Sequence, residues 1–488
     1  MKTAFLTLYF GLLVVISIYG IHLFWLISLH LKSRNERAPY NPLSGAAGEV
    51  PRVTVQLPIY NEKRVAVRLI EAVTAFDWPA DRLEIQVLDD SDDSTTDLVS
   101  QHLEKRDKYT PAIHHLRRSN RIGFKAGALA NGLKRASGEF VAIFDADNLP
   151  RPDFLERMIG FFDDPEVGMV QARWSFLNRA ESFLCRAQGL FLDAHFRVEQ
   201  QARYAGGLLF NFNGTAGVWR RTAIEEAGGW QHDTLTEDLD LSMRAQLDGW
   251  KFIYEDGYDV PTELPNSITA FKSQQYRWSK GAVQAACKLL PRILTSALPV
   301  KARIASFFHL THKVLSVALL ALALLLIPAL YFRMEGGVTK LFFIDLPIFL
   351  AGTGSMSLFY SLANRSEERS WSWRQAAVMP FLTSLGVALA VNNTKAIFSA
   401  IFGRTSLFVR TPKSGSTDAA TMIVPRSYAC RPDTTLLAES ILSGYALVAV
   451  IVALALGLYP TLPFLLTFLF GFGYFSFKGI SDLRDCSI

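Results

Sequence analysis

Cysteine is scarce in this chain, with four in 488 residues. Cys185, Cys287, Cys430 and Cys486 lie far apart, without a C-x-x-C pair and without histidine at ligand spacing. A structural zinc site and a disulfide framework are therefore excluded as organising devices. Charge is scarce too: Asp, Glu, Lys and Arg make up 19% of the chain against 50% hydrophobic residues. The deficit is local, since residues 52–303 hold most of the charge while 4–31 and several stretches after 304 hold almost none. A single soluble globule does not distribute charge in this way. The net charge of +5 arises from dispersed Lys and Arg, so no basic footprint marks a nucleic-acid partner. The sequon Asn213-Gly-Thr215 reads as backbone chemistry, because in a cytosolic domain it would not be glycosylated.

What is present is a polar domain framed by membrane segments, and it is organised around Val141-Ala-Ile-Phe-Asp-Ala-Asp-Asn148. Val141, Ile143 and Phe144 predict a short buried strand. Asp145 and Asp147 follow where it emerges, on the same side if the extended conformation persists. Two hard oxygen ligands suit Mg²⁺ or Mn²⁺ better than zinc, although paired acids beside a turn also serve as caps or solvated loop residues. Upstream, alternation of Val53, Val55 and Leu57 predicts a strand over 52–57 that ends at Pro58-Ile-Tyr-Asn-Glu62. A second strand over 83–88 ends in Asp89-Asp-Ser-Asp-Asp-Ser94. The helix-length segment between them makes a β-α-β unit, and loops at the carboxyl ends of such strands are where open α/β sheets bind nucleotides. Asp92 and Asp93 read as an N-cap for the next helix.

Asn120-Arg-Ile-Gly-Phe-Lys-Ala-Gly-Ala-Leu129 leads into a helix with Lys125 placed for a diphosphate and Gly123 and Gly127 allowing close approach. Its spacing is not that of a Walker loop. Residues 167–174 predict another strand and 181–204 a helix. Phe210-Asn-Phe-Asn-Gly-Thr215 offers a glycine turn with small polar donors, and Asp238 falls at a helix start, where it also reads as an N-terminal cap with Thr236. In Gln274-Gln-Tyr-Arg-Trp278, Arg277 suits phosphate and Trp278 offers a flat face to a sugar, while Arg with Trp is also an interfacial anchor.

Taken in order, Tyr60-Asn-Glu62, Asp89-Asp90, Asp145-Ala-Asp147, Thr236-Glu-Asp238 and Gln274-Gln-Tyr-Arg-Trp278 resemble processive family 2 glycosyltransferases of the cellulose-synthase superfamily. Val170-Gln-Ala-Arg-Trp174, Phe212-Asn-Gly-Thr-Ala-Gly-Val-Trp-Arg220 and Gly228-Gly-Trp230 resemble more narrowly the plant cellulose-synthase-like A and C groups and their bacterial relatives. The resemblance covers residues 51–413 and implies an α/β fold of GT-A type. It implies that Tyr60 and Asp89 hold the nucleotide base, with Glu62 and Asp90 nearby, and that Lys125, Gln274 and Arg277 contact the donor diphosphate. Asp145 and Asp147 would bind that diphosphate through Mg²⁺ or Mn²⁺. Trp278 would stack on the acceptor, Asn213, Gly214 and Thr215 would line the acceptor end, and Asp238 would be the general base. The A-type resemblance implies GDP-mannose and a β-1,4-mannan or glucomannan; the C-type resemblance implies UDP-glucose and a β-1,4-glucan. Single-sugar transfer to a lipid, or non-catalytic transport or glycan binding, are the alternatives.

The apolar segments predict five crossings, at 4–31, 304–331, 341–363, 437–458 and 462–477. Residues 376–391 make about 24 Å of helix against a bilayer core of about 30 Å. With the break at Val391-Asn-Asn-Thr-Lys395, they and 396–402 are expected to form a re-entrant or interfacial element. Lys32, Arg34, Arg37, Lys301 and Arg303 fit cytoplasmic flanks, as does the Arg- and Lys-rich loop 404–436. An even number of crossings between that loop and the polar domain puts both in the cytoplasm and the amino terminus outside. Within the loop, Phe408, Thr411 and Lys413 resemble the gating loop of cellulose synthases, with Arg410 standing where that pattern has valine. The expected division is a first span over 1–31, a GT-A domain with interfacial helices over 32–303, membrane and interfacial helices over 304–403, the loop, and a hairpin of spans over 437–488. No regulatory domain is expected at either end.

Overall fold

The structure, a computed structural model, describes residues 2–33, 50–105, 111–336, 347–348, 350–365, 373–404, 413, 415 and 434–487. Its polar part is built on seven strands: β1 (Val53–Ile59), β2 (Leu83–Asp89), β3 (Ala112–Arg117), β4 (Phe140–Ile143), β5 (Val167–Phe176), β6 (Gly217–Arg220) and β7 (Lys251–Thr262). They lie in the order β3-β2-β1-β4-β6-β5-β7. Only β6 runs against the others.

Both faces of this sheet are covered, as its sequence requires. Val53, Val55, Leu57, Phe140, Ala142 and Phe144 pack on one face with the helices Ala66–Thr74 and Phe154–Ile159. Val141 and Ile143 pack on the other with the helix Phe124–Leu133 and Trp219. A strand buried on both faces reads as a continuous apolar run, which is what residues 140–144 are. Each such Val, Leu, Ile or Phe contributes about 1.5–3 kcal/mol through burial. The α/β expectation holds.

Several boundaries differ from those predicted. β1 continues through Pro58 to Ile59, in register with β2 to the end. β4 pairs β1 only as far as Gln56, so beyond that point β1 has an open edge on which a residue without an N–H is tolerated. The helix predicted over 181–204 is an α-helix over Phe183–Asp193, a π-helical stretch over Ala194–Gln200 and a closing turn over Gln201–Ala205. β3, β6 and β7 fall outside the strands that alternation predicts.

Among the described residues five helices are long and apolar enough to cross a membrane: Thr3–Lys32, Val300–Leu324, Pro380–Ile401, Leu436–Ala455 and Tyr459–Leu483. They fit a membrane protein, but the set is not the expected one. No break occurs at residues 391–395: Trp373–Ile401 is one helix. Its asparagines are accommodated because the Asn392 amide donates to the Lys272 carbonyl at 3.0 Å and to Asn393 Oδ1 at 3.2 Å. The expected break within this segment therefore falls. The span predicted over 304–331 is interrupted between the helices Leu315–Leu324 and Leu326–Gly336, and most of that predicted over 341–363 before Leu350 lies outside the described residues. The long helix Ile268–Thr295 joins the two parts. Its Lys272 is buried in an ion pair with Glu439, 2.6 Å away on Leu436–Ala455.

Candidate active site

The carboxyl ends of β1, β2 and β4 open on one side of the sheet, and the predicted loops meet there. Three non-glycine residues among those described have positive φ, namely Asn61, Phe124 and Ala216, and all three lie in these loops or directly beside one. Such backbone persists only where surroundings enforce it, and it concentrates at functional sites.

After β4 the extended conformation does not persist, so Asp145 and Asp147 do not share one side. The Asp145 N–H donates to Asn148 Oδ1 and Thr215 Oγ1, both at 2.8 Å, and Asn148 N–H closes a turn on the Asp145 carbonyl. The Asp145 side chain remains 38% exposed and meets Lys125 Nζ at 2.5 Å. Asp147 is buried. Its Oδ2 accepts from Thr262 Oγ1 at 2.6 Å, Glu263 N at 3.1 Å and Lys413 Nζ at 2.5 Å. Burial opposes ionisation there, but Lys413 and these donors hold the carboxyl below its ordinary range. Phe408 and Thr411 lie outside the described residues.

On the β1–β2 side the acids are paired off. Asp89 is buried, and its carboxylate accepts from Ser91 N, Thr96 Oγ1 and His115 Nε2 at 2.8–2.9 Å. These bonds outweigh burial and bring its carboxyl down to about 2. It braces the loop from beneath. Asp90 pairs with the Arg118 guanidinium. Tyr60 donates to Asp92 at 3.3 Å and carries the Arg121 guanidinium 3.2 Å above its ring. Asn61 Nδ2 also donates to Asp92, at 2.6 Å, and the N-cap of the next helix is Ser94, so neither acid expected there is the cap, although Asp93, just before it, accepts from Thr95 N. Glu62 is buried, and its carbonyl caps the turn that follows. His115, Arg118 and Arg121 were not singled out from sequence; the basic cluster after β3 was the available signal.

The other side is assembled around Gly214. Lys125, in the first turn of its helix, donates both to Asp145 and to the Gly214 carbonyl at 2.8 Å. Gly214 has φ +83, and a Cβ there would stand 2.9 Å from Asp238 Oδ2; only glycine lets the loop lie so close. Thr215 serves Asp145 and Asn148, and Asn213 is held by Gln171 and His195. Asp238 opens the helix Glu237–Leu247 but caps nothing with Thr236, whose side chain makes no capping bond. Its Oδ1 accepts from Leu239 N at 2.8 Å. Among the described residues no cation forms an ion pair with Glu237 or Asp238. Burial, then the neighbouring Glu237, push the Asp238 carboxyl up to about 7. Burial likewise raises Glu237.

Gln274, Arg277 and Trp278 lie half-buried on Ile268–Thr295. Burial lowers the Arg277 guanidinium to about 10, against the pull of Asp145 and Glu237. Among the described residues no hydrogen bond joins Gln274 or Trp278 to the rest of the site. This helix also fixes the Asp238 turn, since Gly281 packs on Thr236 and Gln284 accepts from Leu235 N at 3.0 Å.

Residues 140–355, which include Asp145, Asp238 and Arg277, match the profile of the Glycosyl transferase family group 2. The chain carries a family 2 glycosyltransferase domain. It is 42% identical over 295 residues to glucomannan 4-beta-mannosyltransferase 2 of Arabidopsis thaliana, a stretch covering 59% of this chain and 53% of that one. It is 46% identical over 270 residues to a probable glucomannan 4-beta-mannosyltransferase 7 of Oryza sativa subsp. japonica, covering 53% and 46%. The match thus spans about half the length of these relatives. Among solved structures, the mannosyltransferase PcManGT of Pyrobaculum calidifontis, in complex with GDP-Man and Mn²⁺, aligns at a TM-score of 0.51 and 19% identity, over 83% of this chain and 98% of that one. The glycosyltransferase domain therefore has the GT-A-like α/β fold.

Proposed function

We propose that the chain is a membrane-embedded, inverting hexosyltransferase that extends a β-1,4-linked glycan of mannan or glucomannan type from GDP-mannose. The observation that carries this reading is the meeting of Lys125, Asp145 and Asp238 on the Gly214 loop, with a cation-paired acid on one side and an uncompensated one on the other. The mannosyltransferases among the relatives favour a mannosyl donor over a glucosyl one.

An acceptor hydroxyl is a poor nucleophile, so its proton must leave as it attacks the anomeric carbon. Asp238, ionised near neutral pH, takes that proton, a role worth about 10²–10⁴ in rate. The bond from the anomeric carbon to the diphosphate oxygen breaks, and the electron pair leaves with GDP. Lys125 and Arg277 offset the charge that gathers on this leaving group. One displacement inverts the centre, turning an α-linked donor into a β-linked product. Tyr60 supplies the base platform with Asp89, Asp90 and Glu62 nearby, Gln274 assists at the diphosphate, and Asn213 and Trp278 face the acceptor, while the buried Thr215 holds Asp145 and Asn148 behind the loop.

Asp145 and Asp147 would hold Mg²⁺ or Mn²⁺. Asp145, 38% exposed, fits such an ion, which needs only one or two carboxylates beside phosphate and water; the buried Asp147 would join it where Lys413 gives way. When bound, the ion neutralises diphosphate charge. Lys413, on Asp147, supports a gating role for its loop together with Phe408 and Thr411. The glycosyltransferase domain faces the cytoplasm in this reading, and the spans carry the growing chain.

The test is incorporation of labelled sugar by the purified protein in lipid vesicles with Mg²⁺ or Mn²⁺, offering GDP-mannose and UDP-glucose separately. Polymer from GDP-mannose, lost in Asp238→Asn, is the expected result. Polymer from UDP-glucose alone overturns the donor, and label in lipid alone overturns polymerisation.

A further inference from the structure

The Gly214 loop is held from the membrane side by a cluster that the mechanism leaves unused. At its centre is Glu199, in the π-helical stretch Ala194–Gln200. Its two oxygens face two imidazoles: Oε2 lies 3.0 Å from His195 Nδ1, and Oε1 lies 3.3 Å from His309 Nδ1. Arg203 Nε donates to the same Oε1 at 2.9 Å. Each imidazole then reaches the loop with its other nitrogen. His195 Nε2 lies 3.0 Å from Asn213 Oδ1, and His309 Nε2 lies 3.1 Å from Asn211 Oδ1.

The amide orientations are fixed by their other bonds. Asn211 Nδ2 donates to Asn213 Oδ1 and to the Phe212 carbonyl, both at 3.1 Å, so neither amide can turn over without setting donor against donor or acceptor against acceptor. His309 belongs to Val300–Thr311, within one of the apolar spans. A single carboxylate thus aims one imidazole from the polar domain and one from a membrane helix at the two asparagines flanking Phe212. Next along the chain is Gly214, against Lys125 and Asp238.

We propose that Glu199, His195 and His309 form a positioning yoke that couples the membrane helix Val300–Thr311 to the loop Asn211–Thr215, and so sets where the acceptor hydroxyl meets Asp238. The proposal rests on the glycosyltransferase reading for its consequence, but not for its geometry. In both imidazoles each nitrogen faces an oxygen acceptor, one on Glu199 and one on the loop, so removing either ring opens one arm of the yoke. Arg203, His195 and His309 outweigh burial and hold the Glu199 carboxyl well below its ordinary range, so the centre stays anionic. The other groups within electrostatic reach are His22 on the first helix and His312 and Lys313 in the turn after Val300–Thr311.

Two measurements on the full-length protein in detergent or vesicles test this. The first is hydrogen–deuterium exchange of the peptide spanning residues 211–215, compared among wild type, His195→Ala and His195→Gln at one pH. Exchange is expected to be about tenfold faster in His195→Ala, the worth of roughly one hydrogen bond. His195→Gln, which keeps a donor in that place, is expected to restore most of the protection. Equal protection in wild type and His195→Ala overturns the yoke, whatever the chain's activity proves to be.

The second is transfer from GDP-mannose. His195→Ala is expected to lower kcat about tenfold with donor KM unchanged, and His195→Gln to restore most of it. A matching loss in donor KM, or a Gln variant as poor as the Ala one, overturns the positioning role. Absence of transfer in the wild type with any donor would count against the glycosyltransferase reading alone, since the exchange result stands apart from it.

Discussion

The two sides of the cleft handle negative charge in opposite ways. On the side of β1, β2 and β4, four acids have a basic partner: Asp89 has His115, Asp90 has Arg118, Asp145 has Lys125 and Asp147 has Lys413. Across the Gly214 loop, Glu237 and Asp238 stand together at the start of a helix with no ion pair among the described residues. The first arrangement favours ionised carboxylates, which suit cations or groups carried by cations. The second resists ionisation, and a carboxyl raised to about 7 is poised to take a proton at neutral pH. The contrast teaches that the roles of otherwise similar acids are set by partners drawn from distant parts of the chain.

The largest expected effect breaks the uncompensated side. Asp238→Asn should lower transfer by about 10²–10⁴ while leaving donor binding, measured calorimetrically, unchanged; weakened binding with normal turnover would place Asp238 on the donor side instead. The substitution also bears on stability. The native carboxyl is raised, so between its ordinary value and about 7 the folded state binds more protons than the unfolded one. Stability therefore falls as pH rises through that window. Asp238→Asn should lack this fall and melt higher than wild type at neutral pH, although inactive.

Next in size is Lys125→Met, which removes the cation that joins the two sides. Transfer should drop about 10²–10³-fold through lost stabilisation of the leaving group. Because Lys125 also draws Asp238 towards ionisation, the variant's residual activity should rise with pH along a limb displaced to higher pH. An undisplaced limb would show that the two sides act independently.

The sequence shows some of this arrangement directly and conceals the rest. The strands 52–57, 83–88, 140–144 and 167–174 were legible because apolar residues run or alternate through them, and their exits carried the acids. β3 was not, because His114 and His115 interrupt its pattern, and β7 was not, because Glu255, Asp256, Gly257 and Asp259 do. The acids themselves were legible, but their partners were not. Arg118 meets Asp90 across 28 residues and Lys413 meets Asp147 across 266, and no local pattern announces such a pairing. The break expected at 391–395 failed for a related reason. Paired asparagines end an isolated apolar helix, but here a carbonyl of Lys272, far off in sequence, accepts from one of them. Asp145 and Asp147 diverge because the chain turns at Asp145, where Asn148 and Thr215 take its N–H.

The smallest predicted effect probes whether the cations of the paired side are fixed partners or occupants that give way. Lys413 Nζ sits on Asp147 Oδ2, a carboxylate oxygen that a divalent ion would use. If the ammonium occupies the ion's place, Lys413→Ala should tighten Mn²⁺ binding in the absence of donor by about tenfold, the worth of one charge-assisted hydrogen bond, as read by titration against the paramagnetic signal of free Mn²⁺. The Asp147 carboxyl would lose its main stabilising charge and move back towards its ordinary range, so the gain should shrink as pH falls. Weaker Mn²⁺ binding in the variant would instead make Lys413 a brace for Asp147. Tighter binding would mean that the paired side is a set of carboxylates kept ionised by exchangeable cations, ready for a metal–diphosphate, while Asp238, without an ion pair among the described residues, is ready for a proton.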